Sequence, residues 1–203
     1  MKTIDDVSGV ILAGGKSSRY GKNKAFIKIN GIPLIEKVIT VMGSVFQELI
    51  IITNTPHKYS HLRLPVYKDL IEGLGPLGGI FTGLTAISKD AGFFVACDMP
   101  SLNRELLRHM VECKDDFDAV VPRISGKMEA LYALYRNTCL PAIRRQIDSR
   151  EYQIFRFFPE VSVRYVDEGE IRQFDPELRS FFNVNTPQEL QEIQQPATRF
   201  NDR

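Results

Sequence analysis

Residues 10–24 read Val-Ile-Leu-Ala-Gly-Gly-Lys-Ser-Ser-Arg-Tyr-Gly-Lys-Asn-Lys. A short apolar run passes directly into a loop containing Gly14, Gly15 and Gly21, with Lys16, Arg19, Lys22 and Lys24 among them. Glycines let a backbone approach a bulky anion closely. Successive N–H groups in such a turn converge on one concavity and form an anion nest. Four cations beside that nest suit a polyphosphate better than a single carboxylate. The plainer alternative is a strand followed by a solvated basic loop.

Working outward, apolar runs alternate with helical patterns, the signature of an α/β protein built on a parallel sheet. Val7–Ala13 is the first expected strand. Pro33 opens a helix to about Phe46, with Leu34, Ile35, Val38, Ile39 and Met42 at helical spacing. Strands are expected at Glu48–Thr53, Leu64–Tyr67 and Gly92–Ala96. Helices are expected at Leu77–Ser88, opened by Gly75-Pro76, and at Arg104–Cys113. Beyond that the pattern is less regular. Strands at Asp118–Pro122 and Glu129–Tyr135 flank a turn at Ser125-Gly126-Lys127. Pro141–Asp148 and Tyr152–Phe157 read as helical, Val161–Val166 as a strand, and Pro187–Ile193 as a closing helix capped by Thr186. A polar tail follows Pro196. The 203 residues are expected to form one domain, with a nucleotide-binding half at about 7–117, a second-substrate half at about 118–194 and a tail at 196–203.

Charge and composition narrow the function. The formal net charge is +1, so no global field favours nucleic acid or an anionic membrane, and any anion site must be local. No apolar run approaches the roughly 20 residues of a transmembrane helix, and the N-terminus lacks a signal-peptide core. Cys97, Cys113 and Cys139 match neither a zinc site nor a disulfide framework. They read as reduced thiols in a cytoplasmic protein.

Two motif matches fail on context. Gly15-Lys16-Ser17 resembles the end of a P-loop, but the required upstream glycine is Val10. Gly73-Leu-Gly75-Pro-Leu-Gly78 fits G-x-G-x-x-G, yet the preceding Lys68-Asp69-Leu70-Ile71-Glu72 is charged and loop-like rather than a strand.

In a parallel sheet, ligands bind beyond the carboxyl ends of the strands. The Gly14–Lys24 loop, Asn54, Asp69 and Asp98 each follow an expected strand, so all should gather along one edge. A carboxylate at a buried strand end is costly unless it is paired or holds a metal. Asp98 is therefore the candidate Mg²⁺ ligand, since Mg²⁺ takes one or two carboxylates plus phosphate oxygens. The alternative, Asp98 as a helix cap, competes with Ser101 and Asn103. Asp69 could contact nucleotide or metal, or cap a turn. Asn54 could read a base or ribose edge, or simply shape a turn. Asn183 and Asn185 could hold a metal, a ribose or a second substrate, or cap a helix opened by Pro187. His57, His61 and His109 show no ligand spacing and are expected on the surface or in turns. Cys97 has no neighbouring base and reads as a small buried residue.

Together, Leu12-Ala13-Gly14-Gly15-x-Ser17-x-Arg19-x-Gly21-x-x-Lys24, Gly75-Pro76-Leu77-Gly78-Gly79-Ile80, Cys97-Asp98-Met99-Pro100 and Asn183-Val184-Asn185-Thr186-Pro187 resemble the molybdenum cofactor guanylyltransferases. These fall within the Rossmann-like nucleotidyltransferases, and the resemblance runs from about residue 7 to 194. It implies a three-layer α/β/α sandwich with a mostly parallel sheet of nucleotide-diphospho-sugar transferase type. It implies transfer of GMP from GTP to molybdopterin carrying molybdenum, with release of pyrophosphate. Leu12, Ala13, Gly14 and Gly15 would line the nucleotide, Lys24 its phosphates, and Asp69 the GTP. Asn54 matches the family's position only approximately. Asp98 would hold Mg²⁺, with Arg19 and Lys24 neutralising charge, and Asn183 and Asn185 would sit near the pterin. Tyr20 departs from the Met usual there. Arg123, Lys127, Arg136, Arg144, Arg145 and Arg156 are unranked candidates for the second substrate. Proteins that deliver or accept the cofactor are candidate partners, and a monomer or weak dimer is expected. The alternatives are a cytidylyltransferase for the same cofactor, a sugar-phosphate nucleotidylyltransferase, or a nucleotide-binding regulatory module without turnover.

Overall fold

The computed structural model describes residues 2–14 and 24–184. The expectations for Gly15, Arg19, Asn185, the rest of the first loop, the closing helix and the tail lie outside these residues.

Largely apolar runs make the centre of the sheet. β1 (Ser8–Leu12) is buried throughout. A short hairpin, β2 (Lys28–Ile29) and β3 (Ile32–Pro33), precedes α1 (Leu34–Val45). It turns through Asn30 and Gly31 at φ 52° and 80°, the left-handed pair that a two-residue hairpin requires. Then come β4 (Leu49–Ile52), β5 (Val66–Tyr67), α2 (Pro76–Ala86), β6 (Ala91–Ala96) and α3 (Arg104–Glu112). The remainder is β7 (Ala119–Ile124), β8 (Lys127–Met128), β9 (Tyr132–Arg136), α4 (Leu140–Asp148), β10 (Val163–Asp167) and α5 (Glu168–Ile171).

One sheet draws strands from both sides of residue 117, in the order β10-β7-β9-β6-β1-β4-β5, with β8 on β7. β1 pairs in parallel with β4 and β6, β4 with β5, and β7 with β10. β9 is inserted antiparallel between β6 and β7. Strands covered on both faces read as continuous apolar runs. Successive side chains alternate between faces. Ile11, Ile51, Phe93 and Val95 join α1 and α3 in one core, whereas Val10, Leu12, Ile50, Ile52 and Phe94 join α2 and α4 in the other. The result is the expected three-layer α/β/α sandwich. Gly83 lets α2 lie close on the sheet, because a Cβ there would stand 2.5 Å from Phe94 Cε1.

Two expectations are corrected. Tyr152–Phe157 is not an α-helix; a 3₁₀ helix runs Ile154–Glu160 instead, with Pro159 inside it. Pro159 has no N–H for an α ladder, and the tighter turn seats Phe157 and Phe158 around Tyr135. The strand expected from Glu129 begins only at Tyr132, because the Tyr132 N–H bonds back to the Glu129 carbonyl at 3.0 Å and closes a turn. Among the described residues, no helix is long and apolar enough to cross a membrane.

Candidate active site

The carboxyl ends of β1, β4, β5 and β6 lie side by side, and the last three are followed by the polar residues Asn54, Asp69 and Asp98. β1 runs into Ala13 and Gly14. The Leu12 side chain is core, and its carbonyl accepts from the Cys97 N–H at 3.1 Å. Ala13 donates to the Ile52 carbonyl at 2.8 Å. The Ala13 carbonyl accepts from Thr53 Oγ1 and Tyr59 Oη, each at 3.1 Å. A carbonyl has two lone pairs, so these residues anchor the loop, and Gly14 is the first exposed position. Thr53 and Tyr59 were not singled out in the sequence. They stand 40 and 46 residues from Ala13, and no local pattern marks such a contact.

Beyond β4, Asn54 Nδ2 donates to Asp69 Oδ2 at 2.7 Å, joining the ends of β4 and β5. Burial raises the Asp69 carboxyl above its usual range, Asn54 pulls it back, and Glu72 adds to the rise. The next residue is fixed by α2, whose Thr82 Oγ1 accepts from the Leu70 N–H at 2.9 Å.

Beyond β6, the turn at 97–99 is tied to β1 through the Cys97 N–H and closed by the Met99 N–H on the Ala96 carbonyl at 3.3 Å. This turn aims Asp98 toward Lys24, whose Nζ lies 4.0 Å from Asp98 Oδ2. Both side chains are about three-quarters buried, at 26% and 21% exposure. Such seclusion strengthens their mutual field relative to a surface pair. Asp98 does not cap α3. Asn103 does so, accepting from the Leu106 N–H at 3.0 Å. Cys97 is buried and its thiol is pushed up to about 12, first by burial and then by Asp98. It is no thiolate nucleophile at neutral pH.

A cavity of about 280 Å³ opens against Asp98, lined also by Met99, Met128, Glu129, Leu131 and Asn183. The Val184 N–H donates to the Asp98 carbonyl at 2.9 Å, which brings Asn183 to the same place. Glu129 and Met128 were not anticipated as site residues.

The basic candidates of the second half are largely engaged elsewhere. Arg123 pairs with Asp167 at 2.8 Å, Arg144 with Asp148 at 3.1 Å and Arg145 with Glu160 at 2.5 Å. Arg136 donates to the Asp115 carbonyl, and Arg156 to Gln153 Oε1. His109 departs from expectation. It is half-buried, 2.7 Å from Glu170 Oε1 and stacked on Phe174. With Cys113, the residue that ends α3, it forms an i,i+4 pair, Sγ to Nε2 at 3.8 Å, a spacing visible in the sequence. Arg164 binds the same Glu170 carboxylate through two contacts, at 3.0 and 2.8 Å, so that cluster is balanced within itself.

Residues 9–163 match the MobA-like NTP transferase domain. A probable molybdenum cofactor guanylyltransferase of Natranaerobius thermophilus is 38% identical over 194 residues, covering 93% of this chain and 95% of that one. One from Peptoclostridium acidaminophilum is 36% identical over 195 residues, covering 93% and 88%. The crystal structure of molybdopterin-guanine dinucleotide biosynthesis protein A from Archaeoglobus fulgidus superposes with a TM-score of 0.81 at 27% identity, covering 93% of this chain and 97% of that one.

Proposed function

The chain belongs to the MobA-like NTP transferase family, among the molybdenum cofactor guanylyltransferases, and from that membership we propose that it transfers GMP from GTP to molybdopterin carrying molybdenum. A phosphate oxygen of the acceptor attacks the α-phosphorus of GTP. The bond from that phosphorus to the oxygen bridging the β-phosphate breaks, and pyrophosphate leaves with the electron pair. An acceptor phosphate is already ionised, so the step needs no protein base. Positioning and charge stabilisation then supply most of the rate.

The observation that carries this reading is the approach of Lys24 to Asp98 across the adjacent ends of β1 and β6. Gly14 and Gly15 offer backbone N–H groups to the phosphates, anchored by Leu12 and Ala13. Lys24 and Arg19 neutralise charge on the departing pyrophosphate. The Asn54–Asp69 pair faces the ribose or base side. Asn183, which lines the cavity beside Asp98, is assigned to the acceptor, and Asn185 is assigned with it by family resemblance.

A largely buried carboxylate at a strand end offers the hard oxygen donor that Mg²⁺ selects, and we assign Asp98 to hold it. Bound there, Mg²⁺ supplies Lewis-acid polarisation of phosphate oxygens. We place the enzyme in the cytoplasm, in keeping with its free thiols at Cys97, Cys113 and Cys139. The test is pyrophosphate release with GTP or CTP, with and without molybdopterin. Release that requires both GTP and molybdopterin supports the reading. Equal release with CTP, or release without the acceptor, contradicts it.

A further inference from the structure

β9 runs antiparallel beside β6, with Val95 opposite Tyr132 and the Ala96 N–H on the Leu131 carbonyl. The residues just before β9 therefore return to the strand end that carries Asp98. Glu129 is fixed there by its main chain, which donates to the Pro122 carbonyl at 2.9 Å and accepts from the Tyr132 N–H at 3.0 Å. Glu129 lines the cavity shared with Asp98 and Asn183. Among the described residues, no Lys, Arg or His forms an ion pair with its carboxylate. Burial raises that carboxyl above its usual range, opposed by Lys127. Beside it stands Met128, 37% exposed, one of the larger apolar side chains left open to solvent.

A half-buried carboxylate needs donors, and an open thioether suits the face or edge of an aromatic ring. One ligand chemistry satisfies both: a fused aromatic ring with an aminopyrimidinone edge. Its ring N–H and exocyclic NH₂ lie side by side and can meet both carboxylate oxygens, as the two N–H groups of an arginine fork do. Pterin and guanine both carry this edge. Sheet order separates them. Ala13, Gly14 and the Asn54–Asp69 pair stand at the ends of β1, β4 and β5, whereas Glu129 precedes β9 beside β6, on the other side of Asp98. The volume of about 280 Å³ also falls just below the usual range for whole small-ligand sites, and suits a fused ring rather than a complete nucleotide.

We propose that the Glu129 carboxylate binds the aminopyrimidinone edge of the acceptor's pterin while Met128 packs on its ring, making these the residues that select the acceptor. This rests on the transfer reaction proposed above and names the acceptor's contacts within it.

The test uses the full chain and a fluorescent probe, 6-hydroxymethylpterin. Its partner compound, 6-hydroxymethyllumazine, has a carbonyl in place of the 2-amino group. Wild type should bind the pterin better than the lumazine. Glu129→Gln and Glu129→Ala should each weaken pterin binding by roughly tenfold or more and erase that preference. Both variants should raise KM for molybdopterin with little change in kcat, and leave GTP affinity by calorimetry unchanged. Equal pterin affinity in wild type and both variants overturns the proposal, as does wild type that binds no pterin. Loss of GTP affinity instead would assign the carboxylate to guanine and overturn it equally. These outcomes are separable from failure of the transfer reaction, which would appear in wild type as no pyrophosphate released from GTP with molybdopterin present.

Discussion

Lys24 Nζ and Asp98 Oδ2 face each other at 4.0 Å, although 74 positions separate them in the chain. The parallel pairing of β1 with β6, in register from Ser8↔Gly92 to Leu12↔Ala96, sets Asp98 beside the end of β1, and Lys24 comes to it from a 3₁₀ turn, Lys24–Phe26, that packs against α1. Opposite charges brought together beside a strand end suit the proposed in-line displacement on a triphosphate, in which Asp98 would hold a metal and Lys24 would absorb charge as the leaving group departs.

Tyr59 is a positioning residue for the first loop. Its hydroxyl donates to the Ala13 carbonyl from full burial. Tyr59→Phe should lower stability by about 1 kcal/mol, read as a reduced urea midpoint at unchanged slope. It should raise KM for GTP several-fold while kcat changes little. Rescue of the GTP affinity by Mg²⁺ concentration alone would argue against an effect through the loop.

Asp69 carries a cost in the folded state. Burial raises its carboxyl, so the folded protein binds that proton more readily than the unfolded chain. The associated stability is present in acid, below the ordinary carboxylate value of about 3.9, and is lost as pH rises through the raised value. Asp69→Asn removes this penalty and keeps an oxygen for Asn54 to donate to. Its melting temperature should exceed wild type at pH 7, and the gap should close as pH falls toward 4. GTP binding should weaken in the same variant. A gap that widens in acid would contradict the sign.

Gly83 tests the packing of α2 on the sheet. A methyl group there meets Phe94 Cε1 at 2.5 Å and Val10 Cγ1 at 3.0 Å. Overpacking of this kind costs about 1–3 kcal/mol, more than any gain in helix propensity from Ala, about 1 kcal/mol. Gly83→Ala should therefore melt lower than wild type. A higher melting temperature would show that α2 can move outward without loss.

Much of this arrangement was legible before the fold was known, and the reason is local. Gly9–Leu12 of β1, Leu49–Ile52 of β4 and Ala91–Val95 of β6 are buried, so each appears as an unbroken apolar run. Pro33 and Pro76 stand at helix starts, and Asp98 directly follows a core strand. The parts that were not legible depend on distant pairing. Glu129 comes to the cavity that Asp98 lines only because β9 lies antiparallel on β6, and the Thr53 and Tyr59 anchors span tens of residues. Asn30-Gly31 is a different case: the hairpin signal was present, but strands of two residues leave no periodicity around it. The stretch near Tyr152 misled because its apolar spacing suits either helix type until Pro159 and the aromatic packing decide.

The most direct measurement is single-turnover transfer from α-labelled GTP to molybdopterin by Asp98→Ala, with GTP affinity measured in parallel. The expected result is a folded protein that keeps GTP affinity within several-fold but transfers GMP slower by about a hundredfold or more. An unchanged rate constant for transfer would contradict the assignment of Asp98 to the reacting phosphates.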